Sequence, residues 1–305
     1  MQKGDKMVIF YAFKNICCSN IKHHSLENVI IVLYHRGMKT DKYLLFTDLD
    51  GTLLDHNTYD FSEAKEALEL LRLRKIPIII ATSKTFAEVV EYEKKLGIKH
   101  PFIVENGAGI FVPKECEVLS GLSSTKEWVK ISKAKSYKEL RKLFVKLKEK
   151  YKMKGFADMD VSEVMKLTGL SVDDAYKAIQ RDFSEPFVLY DESELLLLQE
   201  ELRKQGFDVV KGGRFYHMIS QGVDKASAVE SLIKVYQDYH ELKCHSIALG
   251  DSGNDFTMLE SVDTGVLIPR CDGSFAPLHN SKVHRAKYPG PKGWSSFVME
   301  FFDGD

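Results

Sequence analysis

Twice along the chain, short apolar runs bounded by charged residues alternate with amphipathic stretches. That alternation demands a parallel sheet, because parallel strands need helical crossovers and the helices then cover both sheet faces. In the first block Tyr43 to Thr47 (YLLFT) reads as a buried strand. Ser62 to Arg74 reads as a helix with Ser62 as its N-cap, Ile76 to Ala81 (IPIIIA) as a second strand, and Phe86 to Leu96 as a helix closed by Gly97. Phe102 to Val104 completes the block as a third strand. The pattern resumes late in the chain with helix Lys225 to Tyr239, strand Ser246 to Leu249, helix Phe256 to Ser261 and strand Gly265 to Ile268.

Between the blocks the texture changes. Residues 121–221 carry more charge and longer amphipathic segments: Tyr137 to Tyr151, Val172 to Asp182, and Ser193 to Gln205 closed by Gly206. Phe187 to Tyr190, Phe207 to Lys211 and Phe215 to Ser220 read as strands, the last two joined through Gly212-Gly213. The expected fold is therefore α/β: a Rossmann-like parallel-sheet core formed by residues 38–120 and 222–305, with an inserted α+β domain at 121–221. Residues 1–37 read as a poorly packed extension. Their apolar run Met7 to Phe13 follows Lys3 and Lys6 but is short, and no small-residue cleavage site follows it, which argues against a signal peptide; Met38 is a plausible true start.

Composition narrows the classes of function. With 43 basic and 44 acidic side chains among 305 residues the net charge is −1. No global field recruits nucleic acid or anionic membrane, so an anionic ligand must be held by local groups. No apolar run is long enough to cross a bilayer. The cysteines number five, Cys17, Cys18, Cys116, Cys244 and Cys271, at irregular spacing, which fits reduced thiols in a cytoplasmic protein better than a disulfide framework.

Four polar clusters fall where a parallel sheet collects its ligands, at the carboxyl ends of strands or the adjoining helix starts. Asp48-Leu49-Asp50-Gly51-Thr52 follows the first strand and projects two carboxylates that can share a hard cation such as Mg²⁺. Thr82-Ser83-Lys84-Thr85 follows the second, where hydroxyls and unpaired helix N–H groups suit a phosphate. Lys225 opens a helix, a position that opposes the helix dipole and makes sense if it faces an anion. Gly250-Asp251-Ser252-Gly253-Asn254-Asp255 adds acid to the same sheet edge. Each cluster alone could be a turn, a cap or a solvated surface group; together they supply a nucleophile, a second carboxylate, phosphate donors and a metal site.

These four motifs, DLDGT, TSKT, the Lys225 segment and GDSGND, resemble those of the haloacid dehalogenase superfamily, and the insert resembles the α/β cap of its Cof-type branch. Glu105-Asn106-Gly107-Ala108, the segment Arg181 to Phe187 (RDFSEPF) and the segment Gly212 to His217 (GGRFYH) further resemble the mannosyl-3-phosphoglycerate phosphatase family. The resemblance runs from about residue 42 to 302. It implies that Asp48 is the nucleophile and Asp50 the acid/base. It implies that Thr82, Ser83 and Lys225 bind phosphate, and that Asp48, the Asp50 carbonyl and Asp251 hold Mg²⁺ with Asn254 and Asp255 behind them. In the cap, Arg181, Glu185, Arg214 and His217 are the candidates for substrate binding, with either arginine suited to a carboxylate. Because Arg214 and His217 are expected to alternate along one strand, only one of them should line the pocket.

The implied activity is hydrolysis of a phosphorylated sugar-glycerate, a small-molecule substrate, with no nucleic-acid or membrane partner. A glucosyl or sucrose-phosphate type of substrate, a phosphomutase using the same paired aspartates, and a non-catalytic phosphosugar-binding module are the competing readings. The binding module is the weakest, since every catalytic position is filled.

Overall fold

The computed structural model describes residues 42–303, apart from 117, 119–126 and 213. The extension expected over residues 1–37 lies outside them, as does Gly213.

The chain enters through β1 (Lys42–Thr47) and, after a turn of 3₁₀ helix, α1 (Lys65–Leu73). It continues through β2 (Ile78–Ile80), α2 (Phe86–Leu96), β3 (Phe102–Val104), β4 (Gly109–Pro113) and β5 (Trp128–Ile131). A middle section follows: α3 (Tyr137–Leu147), β6 (Met153–Gly155), α4 (Val161–Thr168), α5 (Val172–Ala178), β7 (Glu185–Leu189), α6 (Leu195–Arg203), β8 (Phe207–Lys211) and β9 (Tyr216–Ser220). The last section comprises α7 (Lys225–His240), β10 (Cys244–Gly250), α8 (Phe256–Ser261), β11 (Thr264–Leu267), β12 (His284–Arg285) and α9 (Gly290–Asp303).

Five strands form a parallel sheet in the order β12-β11-β10-β1-β2. β1 lies between β10 and β2, so strands from opposite ends of the sequence meet at its centre. Successive β1 residues point to opposite faces. Leu45 joins Ala67 and Leu71 of α1 and Trp294 and Val298 of α9, whereas Leu44 and Phe46 join Val229 and Leu232 of α7 and Met258 of α8. Both faces are thus dry, which is why the centre of β1, Leu44 to Phe46, is apolar. Among the described residues no helix is long and apolar enough to cross a membrane.

β3 is joined to this sheet through a bridge between Ala81 and Ile103, and begins a separate antiparallel sheet, β3-β4-β5. The expected crossing into the insert at residue 120 falls between β4 and β5, which pair with one another, so β5 belongs with the strands before it. Four antiparallel strands, β6-β7-β9-β8, form the sheet of the middle section. Its β7 and β9 place Phe187 and Met218 against Phe144 of α3 and Leu198 of α6.

Local signals account for most helix ends. Thr85 and Ser136 build capping boxes with Glu88 and Glu139, and Gly97 closes α2 in the left-handed conformation. Ser62 does not cap: it opens the 3₁₀ turn that precedes α1, and its hydroxyl donates to Asp60. Local acceptors there satisfy the backbone in a tighter helix first.

Candidate active site

The ends of β1 and β10 converge because the two strands pair in parallel, Thr47 beside Leu249. Asp48 follows the first and Asp251 the second. The turn after Asp50 needs Gly51 twice over: its φ is +77°, and a Cβ there would lie 2.7 Å from an Asp251 carboxylate oxygen. Thr52 adds its hydroxyl 3.5 Å from Asp251 Oδ1.

Lys225, the first residue of α7, is fully buried, and its Nζ donates to Asp48 Oδ1 at 2.7 Å and to Asp255 Oδ1 at 2.6 Å. The anion inferred to face this lysine is therefore supplied, among the described residues, by two aspartates. Asp255 is also engaged through Oδ2, which accepts from the backbone N–H groups of Asp251 and Ser252 at 3.1 and 3.0 Å. Asn254 donates to Asn106 Oδ1 at 2.9 Å and accepts from Ser252 Oγ at 2.7 Å. Both residues brace the turn that carries Asp251.

Asp48, Asp251 and Asp255 each place a carboxylate oxygen within 4.8 Å of the others. Burial, with neighbouring carboxylates adding to it, pushes the Asp48 carboxyl up to about 7 and Asp251 up to about 8, although Lys225 opposes both. Oxygen donors crowded in this way fit a hard divalent cation, which would relieve their repulsion. Asp255 already spends both oxygens on protein donors, so Asp48 and Asp251 are the carboxylates of the group better suited to hold a metal.

Thr82 is buried, and its hydroxyl accepts from the Lys84 N–H at 3.3 Å. Ser83 borders the cleft, and its carbonyl accepts from Arg181 Nη1 at 2.7 Å. Arg181 also donates through Nε to the Ala178 carbonyl at 2.8 Å. It thus fastens the insert to the loop after β2 while lining the cleft with Asp50, His56, Tyr59 and Ser252. Arg214 donates to the Thr168 carbonyl at 2.6 Å and lines the same cleft.

Two expectations for the insert are corrected. Arg214 and His217 both line the cleft, because Arg214 lies in the turn before β9, where strand alternation does not apply. Glu185 does not line it. In β7 it alternates with Pro186, which does, so its side chain lies on the opposite face with Phe187. There its carboxylate accepts from Tyr137 Oη and from the Ala157 N–H at 2.9 Å, with Arg141 Nη1 at 3.5 Å. His217, opposite Pro186, has a buried Nδ1 without a partner among the described residues. Burial first, then the charges of Arg181 and Lys225, hold it neutral, with its pKa lowered to about 3.

Two further residues, Glu105 and Lys84, carry no role in the sequence reading beyond membership of their motifs. Glu105 is buried in the core, yet its carboxylate accepts from the N–H groups of Asp182, Phe183 and Ser184 at 2.9, 3.1 and 2.7 Å, and from Ser184 Oγ at 2.7 Å. Its own backbone and that of Asn106 have positive φ, 49° and 58°, a costly conformation outside glycine. The following Gly107 cannot be replaced without displacement, since a Cβ would fall 1.9 Å from the Asp224 carbonyl at the start of α7. Lys84, the second residue, pairs with Asp50 Oδ2 at 2.9 Å. An acidic side chain inside a hydrophobic segment, and a lysine just before a helix, were the available signals.

The model of haloacid dehalogenase-like hydrolases matches residues 45–270. The glucosyl-3-phosphoglycerate/mannosyl-3-phosphoglycerate phosphatase of Persephonella marina is 42% identical over 261 residues, covering 85% of this chain and 97% of that protein. A protein of the same name from Methanococcoides burtonii is 38% identical over 266 residues, with the same coverage. A phosphatase of the haloalkanoate superfamily from Bacteroides thetaiotaomicron superposes with a TM-score of 0.63 at 18% identity, covering 88% of this chain and 97% of that one. The sucrose-phosphatase of Synechocystis, solved with sucrose and phosphate, superposes with a TM-score of 0.57 at 16% identity, covering 87% and 99%. The structural likenesses establish the fold, and the sequence matches establish the kinship: the chain belongs to the haloacid dehalogenase-like hydrolases, among their phosphoric monoester hydrolases.

Proposed function

We propose that the chain hydrolyses the phosphomonoester of a glycosyl-3-phosphoglycerate, mannosyl-3-phosphoglycerate first among them, through an aspartyl phosphate on Asp48. The observation that carries this reading is the meeting of Asp48, Lys225 and Asp251 at the ends of β1 and β10, beneath a cleft that two arginines of the insert also line. Names of relatives that cover most of the chain support the substrate class, and they include both hexoses.

A carboxylate oxygen of Asp48 attacks phosphorus as the bond to the glycerate oxygen breaks. Asp50 gives that oxygen a proton, and later takes one from the water that cleaves the aspartyl phosphate. Thr82, Ser83 and Lys225 bind the phosphoryl oxygens, and Lys225 also balances the charge of Asp48. Mg²⁺ would be held by Asp48, the Asp50 carbonyl and Asp251; when bound it neutralises charge between nucleophile and phosphate. Asn254 and Asp255 keep the Asp251 turn in place. The insert acts as a cap, and its Arg214, Arg181 and neutral His217 offer donors to the glycerate carboxylate and the sugar hydroxyls.

The test is phosphate release with Mg²⁺ over a panel of mannosyl- and glucosyl-3-phosphoglycerate, sucrose phosphate and hexose phosphates. Turnover should be greatest on the two phosphoglycerates, and EDTA should abolish it until Mg²⁺ is restored. Preference for a simple hexose phosphate would sink the substrate class. Isomerised sugar phosphate with little free phosphate would indicate a mutase.

A further inference from the structure

We infer that Lys84 is a positioning residue for Asp50: it grips one carboxyl oxygen, Oδ2, and so fixes the orientation in which the carboxyl meets the oxygen that leaves phosphorus. The inference rests on the acid/base reading of Asp50 given above. A buried ammonium must find anions or lose stability. The Lys84 side chain is only 6% exposed, and it finds two, Asp50 Oδ2 at 2.9 Å and Glu88 Oε1 at 3.6 Å. The rings of Tyr59 and Tyr92 lie 5.2 and 5.6 Å from its Nζ. A lysine just before the N-cap of α2 faces the positive end of that helix's dipole, and carboxylates offset it.

The seat of Lys84 is rigid. Glu88 is fixed by the capping box, accepting from Thr85 N–H at 2.8 Å and Thr85 Oγ1 at 3.0 Å. The Lys84 carbonyl accepts from the Glu105 N–H at 3.0 Å, and the preceding Ser83 carbonyl is clasped by Arg181. Asp50 has no comparable support of its own: its Oδ1 is buried without a partner among the described residues. One oxygen is held by the ammonium and the other is enclosed without a donor among the described residues, so the pairing with Lys84 is what sets the orientation of the carboxyl.

Orientation of the acid should matter in proportion to how badly the leaving group needs a proton. The experiment is kcat/KM, which reports the steps up to formation of the aspartyl phosphate, for aryl phosphates of rising leaving-group pKa and for a primary alkyl phosphate. It compares the full chain with Lys84→Met, Lys84→Arg and Asp50→Asn, all with Mg²⁺. Lys84→Met should lose at least about 10²-fold more on the alkyl phosphate than on dinitrophenyl phosphate, the range in which general acid catalysis operates. Lys84→Arg, which keeps the charge and the buried pairing, should steepen the dependence less and keeps the test alive if Lys84→Met does not fold. Equal losses on every substrate, or a rise in KM at unchanged kcat, would overturn the inference. A steep dependence in Asp50→Asn with a flat one in the Lys84 variants would overturn it alone. A flat dependence in Asp50→Asn would overturn the acid/base reading as well.

Discussion

The indole N–H of Trp294 donates to the Thr47 hydroxyl at 3.0 Å, and that hydroxyl donates onward to the Asp48 carbonyl at 2.7 Å. A residue of the last helix therefore secures the backbone directly beneath the proposed nucleophile, in a fully buried setting.

Thr47→Val should strand the indole N–H and lower stability by about 1–3 kcal/mol in urea unfolding. Trp294→Phe should cost more, since it also removes buried volume. The double variant should lose less than the sum of the two. Strict additivity would mean that the hydrogen bond carries no coupling.

Asp48→Asn preserves shape and removes the attacking charge. Phosphate release should fall at least about 10³-fold, with the circular dichroism spectrum unchanged. Retention of more than a tenth of the wild-type rate would exclude covalent catalysis by this residue.

The two cap arginines should separate kinetically. Among the described residues Arg214 donates to the Thr168 carbonyl alone, so Arg214→Ala should raise KM for a glycosyl-3-phosphoglycerate about 10- to 150-fold, the worth of one charge-assisted contact. An aryl phosphate should be affected little. Arg181 clasps Ser83 in the loop proposed to bind phosphate, so Arg181→Ala should slow both substrates. Equal losses on both substrates for Arg214→Ala would make its role structural.

Glu93, on α2, is buried, and its Oε1 has no partner among the described residues. Burial pushes its carboxyl from 4.5 up to about 8. The folded state then binds a proton that the unfolded state releases between those values, so this group's effect on stability turns unfavourable as pH rises through them. Glu93→Gln should leave Tm nearly unchanged near pH 4 and raise it by a few degrees near pH 9. An equal change at both values would show that ionisation is not the cause.

The parallel core was legible because both of its signals are local: strands with an apolar centre such as β1, and helices with their own caps such as α2. The polar clusters were legible for the same reason, each being contiguous in sequence. What escaped was set by tertiary contact. β4 and β5 are strands through pairing with one another, and the periodicity of so short a β6 carries little information. Glu185 was misplaced because its neighbours from Arg181 to Phe187 straddle a turn and a strand, and only the register of β7 with β9 decides which face it takes. The same holds for Lys84, whose partner Asp50 lies on another strand end.

The central place of β1 bears on how the protein reaches its native state. One neighbour, β2, follows it closely, but the other, β10, is synthesised only after the whole cap. Closing so long a loop costs entropy before the strand pair returns any energy. The strands and helices of the insert are nearer to one another in sequence, whereas Asp48 and Asp251 are brought together only by the pairing of β1 with β10. A chain cut short before β10 would carry Asp48 without Asp251, so the acidic cluster cannot form until the last section of the chain exists.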